Sequence, residues 1–407
     1  MATEGRSVES TSAPVSRTLE SAGFVHIIAR ADGDALAASG LLARALAERE
    51  TPFQVTVDRT VAARTARVRD RTPAADDVTI AIGAIDTDVT RLETADRPAT
   101  LAALDCVREL GADPEPVLAL AGLVAADIEP GAGESEWVLE TAQERGLVSR
   151  RPGVAVPIAD PVDGLAHTTR LHASWSGTPD ATRDALSGLG IDLDTPETLT
   201  ADDHRAIGSS VALDVVGAEA ATAATAETIQ RALRPYATPD HTFETVGGYA
   251  DVLETTARTD PGTGAALALG HDVHESALAA WRKEGRRAHT ALETASTSRY
   301  DGLFVVQIDD GPVEPVARIA AACRSPEPTV LAIGERQQQS ADADSNEAAI
   351  VTRDDDPLGA TVEGVARELD DEGDSRTEYD IGHRRGYLRY DSARDNATII
   401  EAVRELR

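Results

Sequence analysis

A short apolar run near the start of the chain passes into a helical segment through an acidic turn. Residues 24–29 are mostly apolar and indicate a buried strand, and residues 35–50 have the composition of a helix. Asp32 and Asp34 lie between the two, one on each side of a glycine. In open α/β sheets, ligands and metals bind outside the carboxyl end of a strand. Paired carboxylates at this position could hold hard divalent cations, which prefer oxygen ligands.

The same two aspartates also have a purely structural interpretation. Short acidic side chains accept hydrogen bonds from the unpaired amides of a first helical turn, so Asp34 could be the N-cap of the helix and Asp32 a turn residue. Both interpretations predict the strand, the turn and the helix. They differ only in what the carboxylates bind.

The rest of the chain continues this alternation of strands and helices, which predicts an α/β fold. Apolar segments at 53–58 and 78–83 predict two more strands, and their order with the helices favours a parallel sheet. A second alternating unit begins at 303–308, and the segment between the two units is mainly helical in composition. The predicted organisation is a disordered tail (1–18), an α/β domain (19–150), a linker and mainly helical segment (151–297) and a smaller C-terminal α/β domain (298–407).

The charge of the chain is strongly one-sided. Its net charge of -31 arises from 70 acidic against 39 basic residues, and Lys283 is the only lysine. A surface this acidic with almost no lysine is typical of adaptation to molar intracellular salt. Acidity normally argues against a nucleic-acid partner because phosphates and carboxylates repel each other. At molar salt, however, the Debye length falls to about 3 Å, so local contacts decide the partners.

Five arginines lie close together in sequence, in and beside the segment between the second and third predicted strands. Such a basic cluster in an acidic chain could bind phosphates, or nearby acids could balance it at the surface. The arginines are Arg59, Arg64, Arg67, Arg69 and Arg71.

The cysteines and the apolar segments exclude several classes of protein. Cys106 and Cys323 are far apart and lie in predicted helices, so neither a thiol-ligated zinc site nor a disulfide framework is expected. The longest apolar run, 117–126, is too short to span a bilayer. No segment before residue 20 has the pattern of a signal peptide. We therefore expect a soluble, cytoplasmic protein with no membrane partner.

The acidic turn resembles the first motif of the DHH phosphoesterase superfamily, whose pattern is His-x-Asp-x-Asp followed by a small hydroxyl residue. Asp32 and Asp34 match the two aspartates, and Ser39 follows five residues later. Arg30 occupies the place of the histidine, and a guanidinium cannot ligate a metal because it has donors only. The resemblance implies a parallel-sheet DHH-like domain in residues 19–150, whose family members use a pair of manganese ions to cleave phosphodiesters.

The later motifs of that superfamily are only partly present. The strand at 79–83 ends without an aspartate, and residues 84–97 contain no histidine, so the Asp-His-His motif is absent. The fourth motif, an aspartate after an apolar helix, matches Asp127. By resemblance the metal ligands would be Asp32, Asp34 and Asp127, and the metal, if any, would be manganese or magnesium.

Further segments resemble archaeal RecJ-like proteins in their order along the chain. Residues 152–177 resemble the connection into the helical insertion of those proteins, and 248–253 resemble the segment before the DHH-associated domain, here 298–407. Residues 350–353 and 382–386 resemble that domain's Ser-Arg and Gly-Gly-His-x-x-Ala-Gly elements, where glycine lets the backbone approach a nucleic-acid strand. The nucleic-acid-binding residues implied by the resemblance are Arg353, Gly382, His383, Arg384, Arg385 and Gly386.

These two elements also have structural alternatives. Ile381 replaces the first glycine of the second element and Arg385 replaces its alanine, so the stretch could instead be an ordinary hairpin turn. Arg353 precedes an acidic run and could simply pair with acids at the surface.

Three hypotheses for function follow from the resemblance and from the motif residues that this chain lacks. The leading one is a nuclease-inactive RecJ-like protein of DNA replication or repair that binds single-stranded DNA or RNA and the GINS complex, as the family member in the eukaryotic replicative helicase does. The alternative is an active manganese-dependent exonuclease specific for single strands, or a small-phosphodiester hydrolase. A nucleotide-sensing or purely structural protein is the third. Whether the chain is an enzyme thus remains open at the level of sequence.

Overall fold

The computed structural model describes residues 12–92, 97–334, 345–354, 357–371 and 377–406. In its N-terminal part, helices and strands alternate around a four-stranded sheet. The elements are α1 (Ser12–Glu20), β1 (Phe24–Arg30), α2 (Gly33–Glu48), β2 (Phe53–Asp58), α3 (Val61–Arg69), β3 (Asp77–Ile82), β4 (Thr90–Arg91), α4 (Ala99–Glu109), α5 (Pro116–Ala125) and α6 (Glu136–Glu144).

The N-terminal sheet has the order β2-β1-β3-β4, and all its neighbouring strands are parallel. The five central residues of β1 are buried, as expected for a parallel strand covered on both faces. The predicted parallel sheet is therefore confirmed. Because the strands are parallel, the ends of β1 and β3 meet at the same edge, where the acidic turn also lies.

The middle of the chain is mainly helical, as predicted, but it contributes to two different cores. Its elements are β5 (Ser149–Arg150), α7 (Pro161–His167), α8 (Pro179–Ser187), α9 (Ala201–Val216), α10 (Ala223–Ala232), β6 (Tyr236–Ala237), α11 (Val246–Thr259), α12 (Pro261–Ala268) and α13 (His274–Thr294). Helices α8–α10 have a core of their own, which includes Leu186, Val211 and Ile229. Tyr249 and Leu253 of α11 instead join the core of the N-terminal sheet.

The C-terminal part is a six-stranded mixed sheet covered by helices. Its elements are β7 (Ser296–Tyr300), β8 (Leu303–Ile308), α14 (Val313–Cys323), β9 (Thr329–Gly334), β10 (Ser345–Thr352), α15 (Gly359–Asp371), β11 (Glu378–Ile381), β12 (Arg385–Asp391) and α16 (Asn396–Glu405). The strand order is β11-β12-β10-β9-β8-β7, and only β8 and β9 pair in parallel. The second predicted α/β unit is thus confirmed, and residues 335–344, between β9 and β10, lie outside the described part of the chain.

The predicted disordered tail needs a correction. Residues 1–11 lie outside the described part of the chain, but Ser12–Glu20 form helix α1. Val15 and Leu19 are each 1% exposed and belong to the core of the N-terminal sheet. Two apolar residues four positions apart lie on one face of a helix, and the surrounding serines and threonines concealed this face in the sequence.

The arginine cluster around α3 joins the two α/β domains. The Arg59 guanidinium binds Glu314 at 2.5 Å and Glu347 at 3.3 Å. Arg64 is fully buried, forms an ion pair with Asp380 and donates to the carbonyl of Ala84 at 2.9 Å. Acids therefore balance the charges of Arg59 and Arg64, as one of the two interpretations of the cluster predicted. These acids belong to the C-terminal domain and are not the neighbours in sequence that this interpretation expected.

Two expectations about excluded classes can be compared with the structure. Both cysteines are buried and unpaired. Among the described residues, no helix combines the length and the apolar composition needed to cross a membrane.

Candidate functional site

A cleft of about 350 Å³ lies between the edge of the N-terminal sheet and the C-terminal domain. One side is formed by the acidic turn after β1, the residues after β3 and the end of α5. The other side is the hairpin that joins β11 to β12. The predicted site residues that line it are Asp32, Asp34, Asp127, Gly382, His383, Arg384 and Arg385. The three predicted metal ligands therefore share one cleft that faces the terminal domain.

Asp32 is the N-cap of α2. One carboxylate oxygen accepts from the amide of Ala35 at 2.8 Å, and the other accepts from Nε of Arg30 at 2.5 Å. The N-cap is thus Asp32, not Asp34 as the capping interpretation predicted, because the extended residue before the helix lies two positions earlier. Arg30 also contacts the carbonyl of Ile381 at 3.4 Å. The residue that replaces the family histidine therefore neutralises Asp32 and contacts the C-terminal hairpin.

Asp34 is buried and caps a different helix. Its Oδ2 accepts from the amide of Ala99 at 2.8 Å, and its Oδ1 accepts from the amide of Thr100 at 2.9 Å. Both amides belong to the first turn of α4, where backbone donors have no partner within the helix. Burial raises the pKa of Asp34, and the nearby charge of Asp32 raises it further. Both oxygens of this carboxylate are thus used to hold α4 against α2.

Asp127 follows α5 in a left-handed conformation, with φ of 62°. Its Oδ2 accepts from Nη2 of Arg385 at 3.0 Å, and the same nitrogen donates to the carbonyl of Ala125 at 2.9 Å. Burial alone would raise the pKa of Asp127, but the guanidiniums of Arg385 and Arg170 outweigh it and hold this pKa below its usual range. Asp127 is therefore ionised and paired with the C-terminal domain.

The central acid of the site is Glu254 of α11, which sequence reasoning missed. Its side chain is fully buried, and Oε2 accepts from the amide of Gly33 at 2.7 Å. The Oε1 atom binds Arg385 at 2.5 Å and Arg258 at 2.6 Å, and Arg318 lies 3.3 Å away. Burial alone would raise the pKa of Glu254, but these three guanidiniums hold it well below its usual range.

One signal in the sequence could have identified Glu254. It directly follows Leu253 in an otherwise buried stretch of α11, and glutamate is almost never fully buried unless it is paired. A charged residue inside an apolar helical pattern therefore predicts buried cations nearby. The sequence does not say which cations, because Arg385 lies 131 positions away.

The carboxylates of the cleft do not fit a two-metal centre. Asp32 and Asp127 bind arginines, and Asp34 binds two backbone amides. A guanidinium offers donors only and cannot share a metal with these acids. Within the described ranges, no group of three or more His, Cys, Asp or Glu side chains could hold a metal ion. The assignment of Asp32, Asp34 and Asp127 to a metal stays a prediction that this geometry does not favour.

The structure brings together only part of the predicted nucleic-acid-binding set. Gly382, His383 and Arg384 form the loop between β11 and β12, and the amide of Gly382 donates to the carbonyl of Arg385 at 2.8 Å. The stretch is thus a hairpin, as its structural alternative predicted, and the hairpin faces the cleft. His383 and Arg384 line the cleft, whereas the Arg385 guanidinium binds the acids described above.

Gly386 and Arg353 lie apart from the cleft lining. A Cβ atom at Gly386 would lie 2.3 Å from Cγ2 of Val362, so the glycine makes room for helix α15. Nη1 of Arg353 donates to the carbonyl of Ala321 at 2.6 Å, and Nη2 donates to that of Glu327 at 2.7 Å. Arg353 thus supplies donors to the end of α14, where the last carbonyls of a helix need external partners. Asp355 and Asp356, two of the acids with which it was expected to pair, lie outside the described residues.

Comparison with solved structures defines the class of fold. The chain is similar to the crystal structure of CDC45 from Entamoeba histolytica, with a TM-score of 0.59 at 8% sequence identity over 97% of each chain. The crystal structure of RecJ from Thermus thermophilus in complex with Mn²⁺ has a TM-score of 0.40 at 15% identity, over 97% of this chain and 54% of that one. The similarity to CDC45 shows the fold of this chain.

Sequence comparison places the chain in a narrower family. Residues 295–405 match the family model described as "Uncharacterized protein rrnAC1427, C-terminal domain". The protein rrnAC1427 of Haloarcula marismortui is 42% identical over 409 residues, which cover all of both chains. The chain belongs to this rrnAC1427 family. The source of the relative fits the adaptation to salt that the composition predicted.

Proposed function

We propose that this chain is a nuclease-inactive RecJ-like protein of DNA replication or repair that binds single-stranded nucleic acid in the cleft. The observation that supports this proposal is that each of the three motif carboxylates already binds donors of the protein itself. Two-metal hydrolysis needs acids that are free to hold two cations about 4 Å apart. Here Arg30 and Arg385 neutralise two of those acids instead.

The cleft suits a single strand because it offers donors to phosphates between two domains. Arg91, Arg97 and Arg384 line it together with His383. Arginine binds phosphate through paired hydrogen bonds, and an imidazole ring can stack on a base. His383 and Arg384 lie in the cleft-lining loop that resembles the family's nucleic-acid-binding element, so we propose them as the main contacts.

We further propose GINS as the protein partner. Its support is the resemblance of the sequence motifs to archaeal RecJ-like proteins, together with the similarity of fold to CDC45. A tagged copy of the chain, purified from its native host in molar potassium chloride, is expected to enrich GINS subunits over an untagged culture. Failure to enrich them would remove this partner and leave the nucleic-acid proposal to be tested separately.

The proposed absence of nuclease activity can be tested directly. Wild-type protein and Asp32→Ala are incubated with single-stranded DNA, RNA and dinucleotides in molar potassium chloride, with Mn²⁺ or Mg²⁺. We expect no product from wild type beyond that from the variant. Robust turnover by wild type that Asp32→Ala abolishes would overturn the proposal. It would favour an active manganese-dependent exonuclease or a small-phosphodiester hydrolase instead.

Strand binding is tested by fluorescence anisotropy with labelled single-stranded and duplex oligonucleotides. Arg384→Ala is expected to weaken binding of the single strand about tenfold, since a charge-assisted hydrogen bond contributes roughly 1.5–3 kcal/mol. Arg404→Ala is the matched control because Arg404 is an exposed arginine on α16 that stacks on Tyr300 of the same domain. Equal affinities of wild type and Arg384→Ala would exclude the hairpin as the contact.

A further inference from the structure

A second cavity, of about 130 Å³, adjoins the cleft. The two share Asp127 and Ile128 of the N-terminal domain. Its other walls come from the helical segment, which contributes Arg170 and Tyr236, and from α14, which contributes Arg318. All three parts of the chain therefore meet around this cavity, and none of the proposed contacts to a nucleic-acid strand lines it.

The cavity has the opposite charge to the molecule as a whole. Four arginines and two acids line it, in a chain whose net charge is -31. Local positive charge in such a surface attracts anions to this one place. The charged residues are Arg150, Arg170, Arg231, Arg318, Asp127 and Glu129.

Arg318 is a buried cation without full compensation. Its Nη2 donates to the hydroxyl of Thr169 at 2.5 Å and lies 3.7 Å from the carboxylate of Asp251. Among the described residues, Nε and Nη1 have no hydrogen-bond partner, although Nη1 lies 3.3 Å from Glu254. Burial lowers the pKa of Arg318 to about 10 despite that acid. Buried donors are normally paired, so the Arg318 guanidinium adds incompletely compensated positive charge to the wall of the cavity.

Arg170 provides a second incompletely paired guanidinium. Its side chain donates to the carbonyl of Val124 at 3.2 Å, and no acid of the described residues lies within ion-pair distance of it. On the other wall, Tyr236 and Val246 present buried apolar side chains, and the guanidinium of Arg150 stacks on the Tyr236 ring at 3.9 Å. One wall of the cavity thus suits an anion and the other suits an apolar or ring-shaped group.

We propose that this cavity binds a small organic phosphate of the mononucleotide class, with the phosphate between Arg170 and Arg318 and the nucleoside against Tyr236 and Val246. Guanidiniums bind phosphate oxygens through charge-assisted, often paired hydrogen bonds. A ligand here contacts all three parts of the chain, so it stabilises their relative arrangement. The site is separate from strand binding in the cleft and does not depend on it.

The test is isothermal titration calorimetry of the full chain in molar potassium chloride with adenosine 5'-monophosphate, with adenosine and with inorganic phosphate. We expect the monophosphate to bind more tightly than either fragment. We also expect it to raise the melting temperature, since a ligand that binds only the folded state stabilises it. No measurable binding of the monophosphate by wild type would overturn the proposal.

Variants locate the site. Arg170→Leu is expected to weaken the affinity for the monophosphate about tenfold or more, and Arg231→Leu by a few-fold because Arg231 is 60% exposed. Arg231→Leu also tests the proposal if Arg170→Leu fails to fold. Arg205→Leu is the matched control and should bind as wild type does, because Arg205 is an exposed arginine of α9 that pairs with Asp202 of its own helix and does not line the cavity. Unchanged affinity for the monophosphate in both cavity variants would overturn the proposal.

Discussion

The two α/β domains contain similar turns between a parallel strand and a helix, and their acids have different environments. After β1, Asp32 and Asp34 flank a glycine and bind Arg30 and the amides of α2 and α4. After β8, Asp309 and Asp310 precede Gly311 and are both exposed. Helix α14, which follows the second turn, has no side-chain cap. The same local pattern thus contacts other parts of the chain in one domain and lies at the open surface in the other.

The difference comes from what covers each turn. Helix α11 and the hairpin of the C-terminal domain lie over the first turn and bring Glu254 and Arg385 to it. The second turn borders an open, polar cavity of about 450 Å³, where Asp310 lies 3.5 Å from the guanidinium of Arg287. An acidic turn between strand and helix is therefore not by itself evidence for a metal site, since packing decides which donors its acids meet.

The largest effect expected from this contrast concerns Glu254. Replacing Glu254 by Gln removes the buried charge that three mostly covered guanidiniums share, and breaking a buried pair in this way costs roughly 3–5 kcal/mol. Asp310→Asn is the matched change at the open turn and should alter the free energy of unfolding by less than about 0.5 kcal/mol. Denaturant unfolding in molar potassium chloride measures both. If the two variants were equally stable, the contrast between the turns would be wrong.

A smaller effect is expected at the caps. Asp34→Ala leaves two buried amides of α4 without acceptors, which costs about 1–3 kcal/mol. Asp309→Ala, at the exposed turn, should stay within about 0.5 kcal/mol of wild type. Thermal and denaturant unfolding of the pair provide the measurement. An Asp34→Ala protein as stable as Asp309→Ala would mean that the capping of α4 contributes nothing.

The next effect concerns pH and Asp127. Because Arg385 lowers the pKa of Asp127 in the folded state, the unfolded chain takes up a proton first as pH falls, and this part of the stability is lost below the ordinary pKa of an aspartate. Asp127→Asn should therefore show a shallower loss of stability than wild type between about pH 4.5 and pH 3. The difference should be less than about 1 kcal/mol because the side chain is 37% exposed. A steeper loss in the variant would reverse the sign assigned to this pair.

The smallest effect is a gain at the second turn. Pro312 is the N-cap of α14 and offers no side-chain acceptor, so Pro312→Ser should add a cap of the kind that Asp32 provides at α2. We expect a stabilisation of about 0.5 kcal/mol, since the cap gains roughly 1 kcal/mol and part is lost with the rigid proline. Denaturant unfolding against Pro312→Ala separates the cap from the loss of proline. Equal stability of the two variants would show that water already satisfies the unpaired amides at the start of α14.

Much of the fold could be predicted because long apolar segments carry their own signal. The predicted strand at 303–308 coincides with β8, and the predicted strands at 24–29, 53–58 and 78–83 agree with β1, β2 and β3 to within one residue at each end. Short elements were missed. Strand β11 has four residues and is held by pairing with β12, and so short a run has no periodicity of its own that would reveal it.

Only part of the candidate site could be predicted, because the signals in the sequence are local. An aspartate after β1 and another after α5 had to lie near one sheet edge, because elements in an α/β order return to it. Their partners follow no such rule. Glu254 reaches Gly33 across 221 positions of sequence, and Arg385 comes from another domain.

The amino-acid sequence by itself determined where strands turn into helices, that the sheet near the amino terminus is parallel, and which acids stand at its edge. These features depend on apolar periodicity and backbone preference over a few neighbouring residues. Only the tertiary structure decided that Arg385 and Glu254 meet there and that Asp34 caps α4. A buried charge is tolerated only beside its counter-charge, and those counter-charges are brought together by the packing of segments that are remote in the chain.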